Sequence, residues 1–311
     1  MSALSSSLSV NLSQILQKKV HLHDLQYDYY CKYLAAGCRS QSGPEIVILE
    51  KDGSSGDSAG LRVVSTLTTR CDPILLSWAP PQFGRVLIVV LSDNSVSYYR
   101  QSSSGPGCQL SLYHEKVEVQ KSISCMSVGV APGGELLCAV GSASGSVGVI
   151  FCEGSFECVN FQGHYGGVSS ASFVSSDGCV DRCVDGRQGL LATGGSDGCV
   201  KIWQLVERQF KLLKTLTFDC ESKCLPVVKC LSWSKNAVSL AVITASELFL
   251  FGRAPEWSDC QRVSLPRACG TASVSFNNDR LVVSCDGESL VYRPDERGTY
   301  VLSCALEGPK D

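Results

Sequence analysis

Residues 189–204 have the sequence Gly-Leu-Leu-Ala-Thr-Gly-Gly-Ser-Asp-Gly-Cys-Val-Lys-Ile-Trp-Gln, which predicts two strands joined by a tight turn. The first strand covers Leu190 to Thr193, and the second covers Val200 to Trp203, where β-branched residues favour extended backbone. Asp197-Gly198 lies between them and supplies the positive φ that a two-residue turn requires. This stretch therefore predicts a β-hairpin.

A Gly-His pair, Gly163-His164, precedes the end of this hairpin by about 40 residues, and that arrangement resembles a blade of a WD-repeat propeller. In WD repeats the His, the turn Asp, a Ser or Thr of the preceding strand and the strand-ending Trp form a buried hydrogen-bonded set. The resemblance therefore implies a structural tetrad of His164, Thr193, Asp197 and Trp203. A catalytic Ser/His/Asp arrangement is the alternative, but the blade context explains all four residues.

Five weaker copies of this pattern cover the rest of the chain. The strands that match the one ending at Trp203 are Ile46–Leu49, Val96–Tyr99, Val147–Ile150, Leu248–Phe251 and Leu290–Arg293. An upstream strand of each unit ends at Tyr27, Trp78, Val130, Phe173, Trp233 or Phe276. The units recur at roughly 40–60 residues, and a four-stranded propeller blade needs roughly 40–45. A sandwich of unrelated strands is the alternative, which the regular order disfavours.

The pattern predicts an all-β fold, a six-bladed WD-repeat β-propeller over residues 21–305. Residues 1–20 form an N-terminal segment with room for one or two strands, for instance Leu8 to Leu12, and residues 306–311 form a C-terminal tail. Asp93 and Asp286 occupy the same turn position as Asp197 in two further units, so we expect them at blade turns.

Composition excludes several classes of function. The chain has 311 residues, 44% hydrophobic and 18% charged, and its net charge is −3. It has no long basic run, so we expect neither nucleic acid nor anionic lipid as a direct partner. Residues 1–19 lack a continuous apolar stretch, so we expect no signal peptide, and no segment predicts a membrane span.

Cysteine and histidine usage gives no cofactor, metal or catalytic site. The chain has 18 Cys and 4 His. Without an export signal we expect most thiols to be reduced core residues, as at Cys138, Cys199 and Cys285. The Cys179/Cys183 and Cys220/Cys224 pairs have no nearby His, which argues against zinc. We expect the polar residues His21, His23 and Asp24 in a loop that leads into the first blade.

Three motifs carry a more specific resemblance. They are His23-Asp24-Leu25-Gln26-Tyr27-Asp28-Tyr29-Tyr30, Ser77-Trp78-Ala79-Pro80-Pro81-Gln82-Phe83-Gly84, and an insertion from Ser175 to Gln188 in the fourth unit. With the count of six units, the chain resembles the Sec-thirteen family, the small WD-repeat subunit of the COPII outer coat. That subunit also serves in the Y-shaped complex of the nuclear pore. Val130 and Phe173 replace tryptophans of the family, so the chain resembles a divergent member.

The resemblance implies an open ring of six blades that a partner completes. That partner, a long protein with its own propeller and a helical solenoid, inserts a seventh blade by β-augmentation. The implied function is structural: a cytoplasmic coat scaffold for transport from endoplasmic reticulum to Golgi, which touches the membrane only through the coat. The expected contacts with the inserted blade are Leu25, Tyr27, Leu34, Ile46 and Ile48 on the first blade and Val274, Phe276, Leu281, Val283 and Val291 on the last. Ordinary packing inside the blades is the equal alternative for each.

Two other functions remain open at this stage. The sister nuclear-pore subunit of the Seh-one type has the same fold and would bind helical nucleoporins. A WD-repeat adaptor would instead read a linear peptide with exposed Arg or aromatic side chains in its loops. Arg39, Arg70 and Arg253 lie near loops, but at no common position in the repeat.

Overall fold

The computed structural model describes residues 15–306, apart from 17, 52–59, 103–107, 117–118, 175–188, 219–225, 235–236, 253–256, 258, 267, 278–279 and 287. The strand expected at Leu8 to Leu12, the insertion from Ser175 to Gln188, and both cysteine pairs considered for zinc lie outside these residues.

Six four-stranded antiparallel sheets account for all the strands of the described residues, and each sheet is built from four consecutive strands. Sheet one contains β1 (Val20–Tyr27), β2 (Tyr33–Ser40), β3 (Gly43–Lys51) and β4 (Leu61–Thr68). Sheet two contains β5 (Pro73–Trp78), β6 (Val86–Leu91), β7 (Val96–Gln101) and β8 (Leu110–Lys116). Sheet three contains β9 (Ile123–Val130), β10 (Leu136–Ser142), β11 (Ser146–Phe151) and β12 (Glu157–Gln162).

The second half of the chain repeats this arrangement three times. Sheet four contains β13 (Val168–Phe173), β14 (Leu190–Gly195), β15 (Cys199–Val206) and β16 (Gln209–Thr217). Sheet five contains β17 (Cys230–Trp233), β18 (Ser239–Ile243), β19 (Glu247–Gly252) and β20 (Asp259–Ser264). Sheet six contains β21 (Ala272–Asn277), β22 (Arg280–Cys285), β23 (Glu288–Pro294) and β24 (Tyr300–Leu306). A 3-10 helix covers Pro81–Phe83.

The six sheets are the blades of a propeller, which confirms the predicted all-β, six-bladed fold. The hairpin of residues 189–204 is β14 and β15, and Gly198 at its turn has a φ of 76°. We number the blades 1 to 6 in chain order. No strand of the described residues is exchanged between the first and last blades, since β1–β4 and β21–β24 each form a complete sheet.

Neighbouring blades pack face to face through five apolar seams. Each seam is one continuous hydrophobic cluster, between blades 1 and 2, 2 and 3, 3 and 4, 4 and 5, and 5 and 6. Blade sheets supply these clusters because side chains alternate between the two faces of a strand. Six blades in a closed ring would have six seams. The described residues of blades 6 and 1 form no sixth seam.

Close packing at a seam explains one of the glycines. Gly129 on β9 faces Phe173 of blade 4, and a Cβ at this position would lie 2.4 Å from the Phe173 ring. Real Cβ atoms do not approach carbon this closely, so the seam between blades 3 and 4 requires glycine here.

Two expectations from the sequence were wrong. His21, His23 and Asp24 lie within β1 and not in a loop before it. Asp24 accepts a hydrogen bond from the Leu76 N–H of blade 2 at 2.7 Å, so its carboxylate connects two blades. Cys285 is not a free core thiol, because it forms a disulfide with Cys269.

The helical residues of the described part of the chain include no segment with the length and apolar character to cross a bilayer.

Candidate functional site

Blade 1 has an apolar face that packs against no other blade among the described residues. Its core residues are at most 6% exposed; they are Leu34, Ala36, Cys38, Val47 and Leu49. Along β2 and β3 they alternate with residues that pack against blade 2. We call this surface the open face of blade 1.

Strand β1 extends the open face of blade 1 with exposed side chains. Leu25 lies opposite Ala36 and Tyr27 lies opposite Leu34 in the antiparallel register. Residues directly opposite each other point to the same face of a sheet. Leu25 is 39% exposed and Tyr27 is 48% exposed, so this end of the face has apolar surface that is still accessible.

The chain's own N-terminal segment covers another part of this face. Ile15 and Leu16 pack against the apolar cluster. Lys18 Nζ lies 2.6 Å from Glu45 Oε1, and the Glu45 side chain is only 7% exposed. Glu45 belongs to the open face because it pairs with Cys38 in the register of β2 and β3.

Blade 6 borders the same gap with a different surface, which we call the open face of blade 6. It is lined by serines and two half-buried valines, and its members are Ser273, Ser275, Val282, Ser284, Ser289 and Val291. The Ser284 and Ser289 hydroxyls lie 3.1 Å apart. The opposite face of this blade packs against blade 5.

The residues expected to contact an inserted blade fall on both sides of their sheets. Leu25, Tyr27, Leu34 and Val291 lie on the open faces. Ile46 and Ile48 pack in the seam with blade 2. The residues that pack in the seam with blade 5 are Val274, Phe276, Leu281 and Val283. Only the first four therefore line the gap between blades 6 and 1.

The structure brings the four residues of the implied tetrad together in blade 4. His164 Nδ1 lies 2.9 Å from Asp197 Oδ1, and His164 Nε2 lies 2.9 Å from Thr193 Oγ1. Trp203 Nε1 lies 2.9 Å from the same Thr193 oxygen. His164 and Thr193 are at most 1% exposed, so these contacts hold polar groups that have no access to water.

Donor and acceptor chemistry sets the direction of this chain of hydrogen bonds. The indole N–H of Trp203 can only donate, so Thr193 Oγ1 accepts it. The Thr193 hydroxyl then donates to His164 Nε2, and His164 Nδ1–H donates to Asp197 Oδ1. Asp197 Oδ2 accepts the Tyr165 N–H at 3.0 Å. Every buried polar group of the set is thereby satisfied.

The pKa values of both titratable groups in the tetrad are lowered, which favours a neutral imidazole beside an ionised carboxylate. Burial lowers the pKa of His164, although Asp197 opposes this shift. Burial alone would raise the pKa of Asp197, but hydrogen bonds from His164 and Cys199 hold it below its ordinary value. The pair is therefore a neutral donor and a charged acceptor near pH 7.

Cys199 completes the one group of described residues that could offer three ligand atoms to a metal ion. The donor atoms of His164, Asp197 and Cys199 lie within 4.8 Å of one another. All three already take part in hydrogen bonds, and His164 Nδ1 is aimed at the carboxylate at 2.9 Å. We therefore assign the group to the structural network of blade 4 rather than to a metal centre.

Asp93 and Asp286 lie at the equivalent turns of blades 2 and 6 and hold them by other contacts. Asp93 accepts the Ser95 N–H and hydroxyl and forms an ion pair with Arg70. Asp286 accepts the backbone N–H groups of Gly270 and Thr271. Both carboxylates therefore fix loops between strands.

Comparison with known proteins shows a likeness to one group of transport proteins. No family model matches the chain. Over 249 residues it is 28% identical to Protein transport protein sec13 of Emericella nidulans, which covers 75% of this chain and 76% of the relative. Over 203 residues it is 32% identical to Protein transport protein SEC13 of Coccidioides immitis, covering 62% and 64% of the two chains. The relative from Yarrowia lipolytica is 29% identical over 235 residues, or 72% of each chain. The chain is similar to Sec13 proteins over most of its length.

Solved structures agree with the propeller fold. The crystal structure of Saccharomyces cerevisiae Sqt1 superposes with a TM-score of 0.67 at 16% identity, over 91% of this chain and 73% of Sqt1. Chaetomium thermophilum Sqt1, bound to the N-terminus of the ribosomal protein L10, gives 0.67 at 15% identity, over 91% and 74% of the two chains. At such identity the likeness shows the fold alone.

Three features of the gap were not predicted from the sequence. They are the cover by Ile15 and Leu16, the ion pair of Lys18 with Glu45, and the serine-rich character of the open face of blade 6. Alternation of Ser and Val along β21 to β23 was a usable signal for the third feature. No signal in the sequence indicated the ion pair of Lys18 with Glu45.

Proposed function

We propose that the chain is a structural subunit of the outer coat of COPII vesicles, in transport from endoplasmic reticulum to Golgi. Its partner is a protein with a propeller and a helical solenoid that donates a seventh blade to the gap. The observation that carries the proposal is the presence of five seams among six blades, with an apolar open face on blade 1. The Sec13 relatives are named as protein transport proteins, which supports the same role.

The geometry of the gap determines how such a blade would bind. Sheet faces border the gap, so side-chain packing would supply the affinity for such a blade, as the resemblance implies. A β-sheet inserted there would meet the accessible Leu25 and Tyr27 on one side. On the other side it would meet Val282 and Val291 with their neighbouring serines. A blade that is apolar on the side facing blade 1 and carries small polar side chains on the side facing blade 6 would fit both surfaces.

The proposed role is mechanical. Five continuous seams make the six blades one rigid body, and an inserted blade would couple that body to the solenoid of the partner. Stiffened rods of this kind can assemble into a cage around a vesicle. The chain would then work in the cytoplasm, peripheral to the membrane through the coat alone. The same coupling would serve a nuclear pore scaffold that contains helical nucleoporins.

The tetrad supports a structural rather than an enzymatic function. His164 is 1% exposed, and both of its ring nitrogens are engaged by Thr193 and Asp197. A general base needs a ring nitrogen that can reach a substrate. This imidazole therefore holds the blade together.

Tyr27→Ala tests the proposed interface. A buried aromatic side chain covers about 200 Å², and Tyr27 is 48% exposed in the free chain. Full coverage by a partner blade would bury about 100 Å² more, or up to about 2.5 kcal/mol, which corresponds to roughly 70-fold in affinity. The measurement is the amount of partner that stays bound when the tagged chain is purified from its own cells through high salt.

The matched control is Tyr165→Ala, because Tyr165 is 97% exposed and lies in the loop that connects blades 3 and 4, away from the gap. We expect a propeller-plus-solenoid partner at equal stoichiometry with the unaltered chain and with this control. Tyr27→Ala should lose most of it. Recovery of the unaltered chain as a stable monomer without partner would contradict the proposal, and helical nucleoporins in place of the coat protein would assign it to the pore.

One observation favours a second candidate, a peptide-binding adaptor. A groove of about 270 Å³ lies at the seam of blades 1 and 2, lined by Tyr29, Tyr30, Trp78 and Arg85 among others. Tyr29 is 53% exposed and Tyr30 is 67% exposed. Aromatic grooves of this kind bind extended peptides. If Tyr30→Ala releases the partner and Tyr27→Ala does not, the adaptor function is supported over the scaffold.

A further inference from the structure

The open face of blade 1 is already occupied in part within the chain itself. Ile15 and Leu16 pack on its apolar cluster, and Cys38 within that cluster is 1% exposed. In blades 2 to 5 both faces are covered by a neighbouring blade. Among the described neighbours of this cluster, the contacts outside its own sheet come from the N-terminal segment.

The charge pair at this contact shows that the covering segment is held in a defined place. The Glu45 side chain is 7% exposed, and a carboxylate removed from water is costly unless it is paired. Lys18 Nζ lies 2.6 Å from Glu45 Oε1 and supplies the opposite charge. While the face is covered, Glu45 therefore depends on Lys18 of the N-terminal segment as its charge partner.

The composition of the segment suits the gap. Residues 1–17 contain no charged side chain, and they include six Ser, four Leu, one Val and one Ile. The open faces on either side are apolar on blade 1 and rich in serine and valine on blade 6.

We propose that the N-terminal stretch that carries Ile15, Leu16 and Lys18 is a cis cover of the open face of blade 1 and competes with the partner's blade for it. Partner binding would then require displacement of this cover. The apparent affinity for the partner would fall in proportion as the fraction of protein that is uncovered falls. The competition rests on the proposed function, because it presumes a blade-donating partner. The cis docking does not, since it concerns the free chain alone.

Cys38 provides a reporter for the cover. In the full chain we expect slow maleimide labelling of Cys38, resolved by peptide mass spectrometry. Ile15→Ser with Leu16→Ser should raise that rate by about tenfold or more, because the segment loses the apolar contacts that hold it closed. Cys138, which is fully buried between blades 2 and 3, reports any general loosening of the propeller.

The matched control is Leu212→Ser with Leu213→Ser on β16. These two adjacent leucines are 50% and 49% exposed on the outer strand of blade 4. The control should leave Cys38 labelling unchanged. An unchanged Cys38 rate in the Ile15/Leu16 variant overturns the proposal.

A charge reversal decides the case if Cys38 and Cys138 labelling rise together in the Ile15/Leu16 variant. Lys18→Glu should raise the Cys38 rate alone, and adding Glu45→Lys should restore protection through the reversed pair. No rise with Lys18→Glu overturns the proposal.

Deletion of residues 1–17 tests the competition. Capture of the blade-donating partner by the truncated chain should be about tenfold stronger than by the full chain. Unchanged or weaker capture refutes the competition. If neither chain captures such a partner, the proposed function fails, while the Cys38 result for cis docking stands.

Discussion

Thr193→Val should be one of the most damaging single substitutions in the propeller. Thr193 Oγ1 accepts the Trp203 Nε1–H and donates to His164 Nε2, both at 2.9 Å. Valine has nearly the same shape but no hydroxyl, so the substitution changes hydrogen bonding with little change in volume. The indole N–H and the imidazole nitrogen then lose their partner at a site where Thr193 is 0% exposed.

The expected cost follows from the number of groups left unsatisfied. Each buried polar group that loses its hydrogen bond costs about 1–3 kcal/mol, so the two together cost about 2–6 kcal/mol of unfolding free energy. Native domains have about 5–15 kcal/mol in total, so this loss is large. Urea titration followed by tryptophan fluorescence measures it, because Trp203 lies in the affected blade.

The control is Thr215→Val, since Thr215 is exposed on β16 of the same blade. It should change the unfolding free energy by no more than about 0.5 kcal/mol. A cost below about 1 kcal/mol for Thr193→Val would refute the argument that the tetrad stabilises blade 4.

Two further predictions concern the tetrad and a seam. Burial lowers the pKa of His164 from 6.5, so the unfolded chain binds a proton in acid that the folded chain does not. Stability should be full above about pH 6.5 and fall below it by up to about 1.4 kcal/mol per pH unit. Below about pH 4 the lowered pKa of Asp197 adds a loss of the same sign. Urea titrations at about pH 7.5 and 5.5 should show this loss of unfolding free energy. In His164→Asn the part of the loss that comes from His164 should be absent. Gly129→Ala should cost about 1–3 kcal/mol by forcing a Cβ against Phe173. Gly133→Ala, whose Cβ meets nothing within 4 Å, should leave the urea midpoint nearly unchanged.

The sequence predicted the blades because the repeat carries local signals. Every strand that was predicted to match the one ending at Trp203 lies in the third strand of its blade. The tetrad could also be placed, since the spacing from Gly163-His164 to Asp197 and Trp203 is specific to the repeat. Such patterns depend on turn chemistry and strand period, which a single sequence contains.

The faces of the strands could not be predicted from the sequence. Residues 46–49 read Ile-Val-Ile-Leu, with no polar residue to mark one face. The structure sends Ile46 and Ile48 toward blade 2 and Val47 and Leu49 toward the gap. A strand that is buried on both faces reads as a continuous apolar run, so its orientation depends on the neighbouring blades.

The polar start of β1 misled the sequence analysis for a related reason. His21, His23 and Asp24 look like a loop because strands with buried faces are usually apolar. Here β1 borders the gap, its register shifts between Leu22 and Asp24, and Asp24 bonds the backbone of blade 2. These causes lie in tertiary structure and leave no local signal.

Site-specific photo-crosslinking in the native complex would test the central claim most directly. A photoreactive residue is placed at Leu25 on one side of the gap, at Val291 on the other, and at Leu212 as an outer-rim control. If a partner's blade fills the gap, Leu25 and Val291 should crosslink to the same short segment of one partner chain, and Leu212 should not. Crosslinks that join blade 1 directly to blade 6, or that reach no partner from either position, would contradict the account.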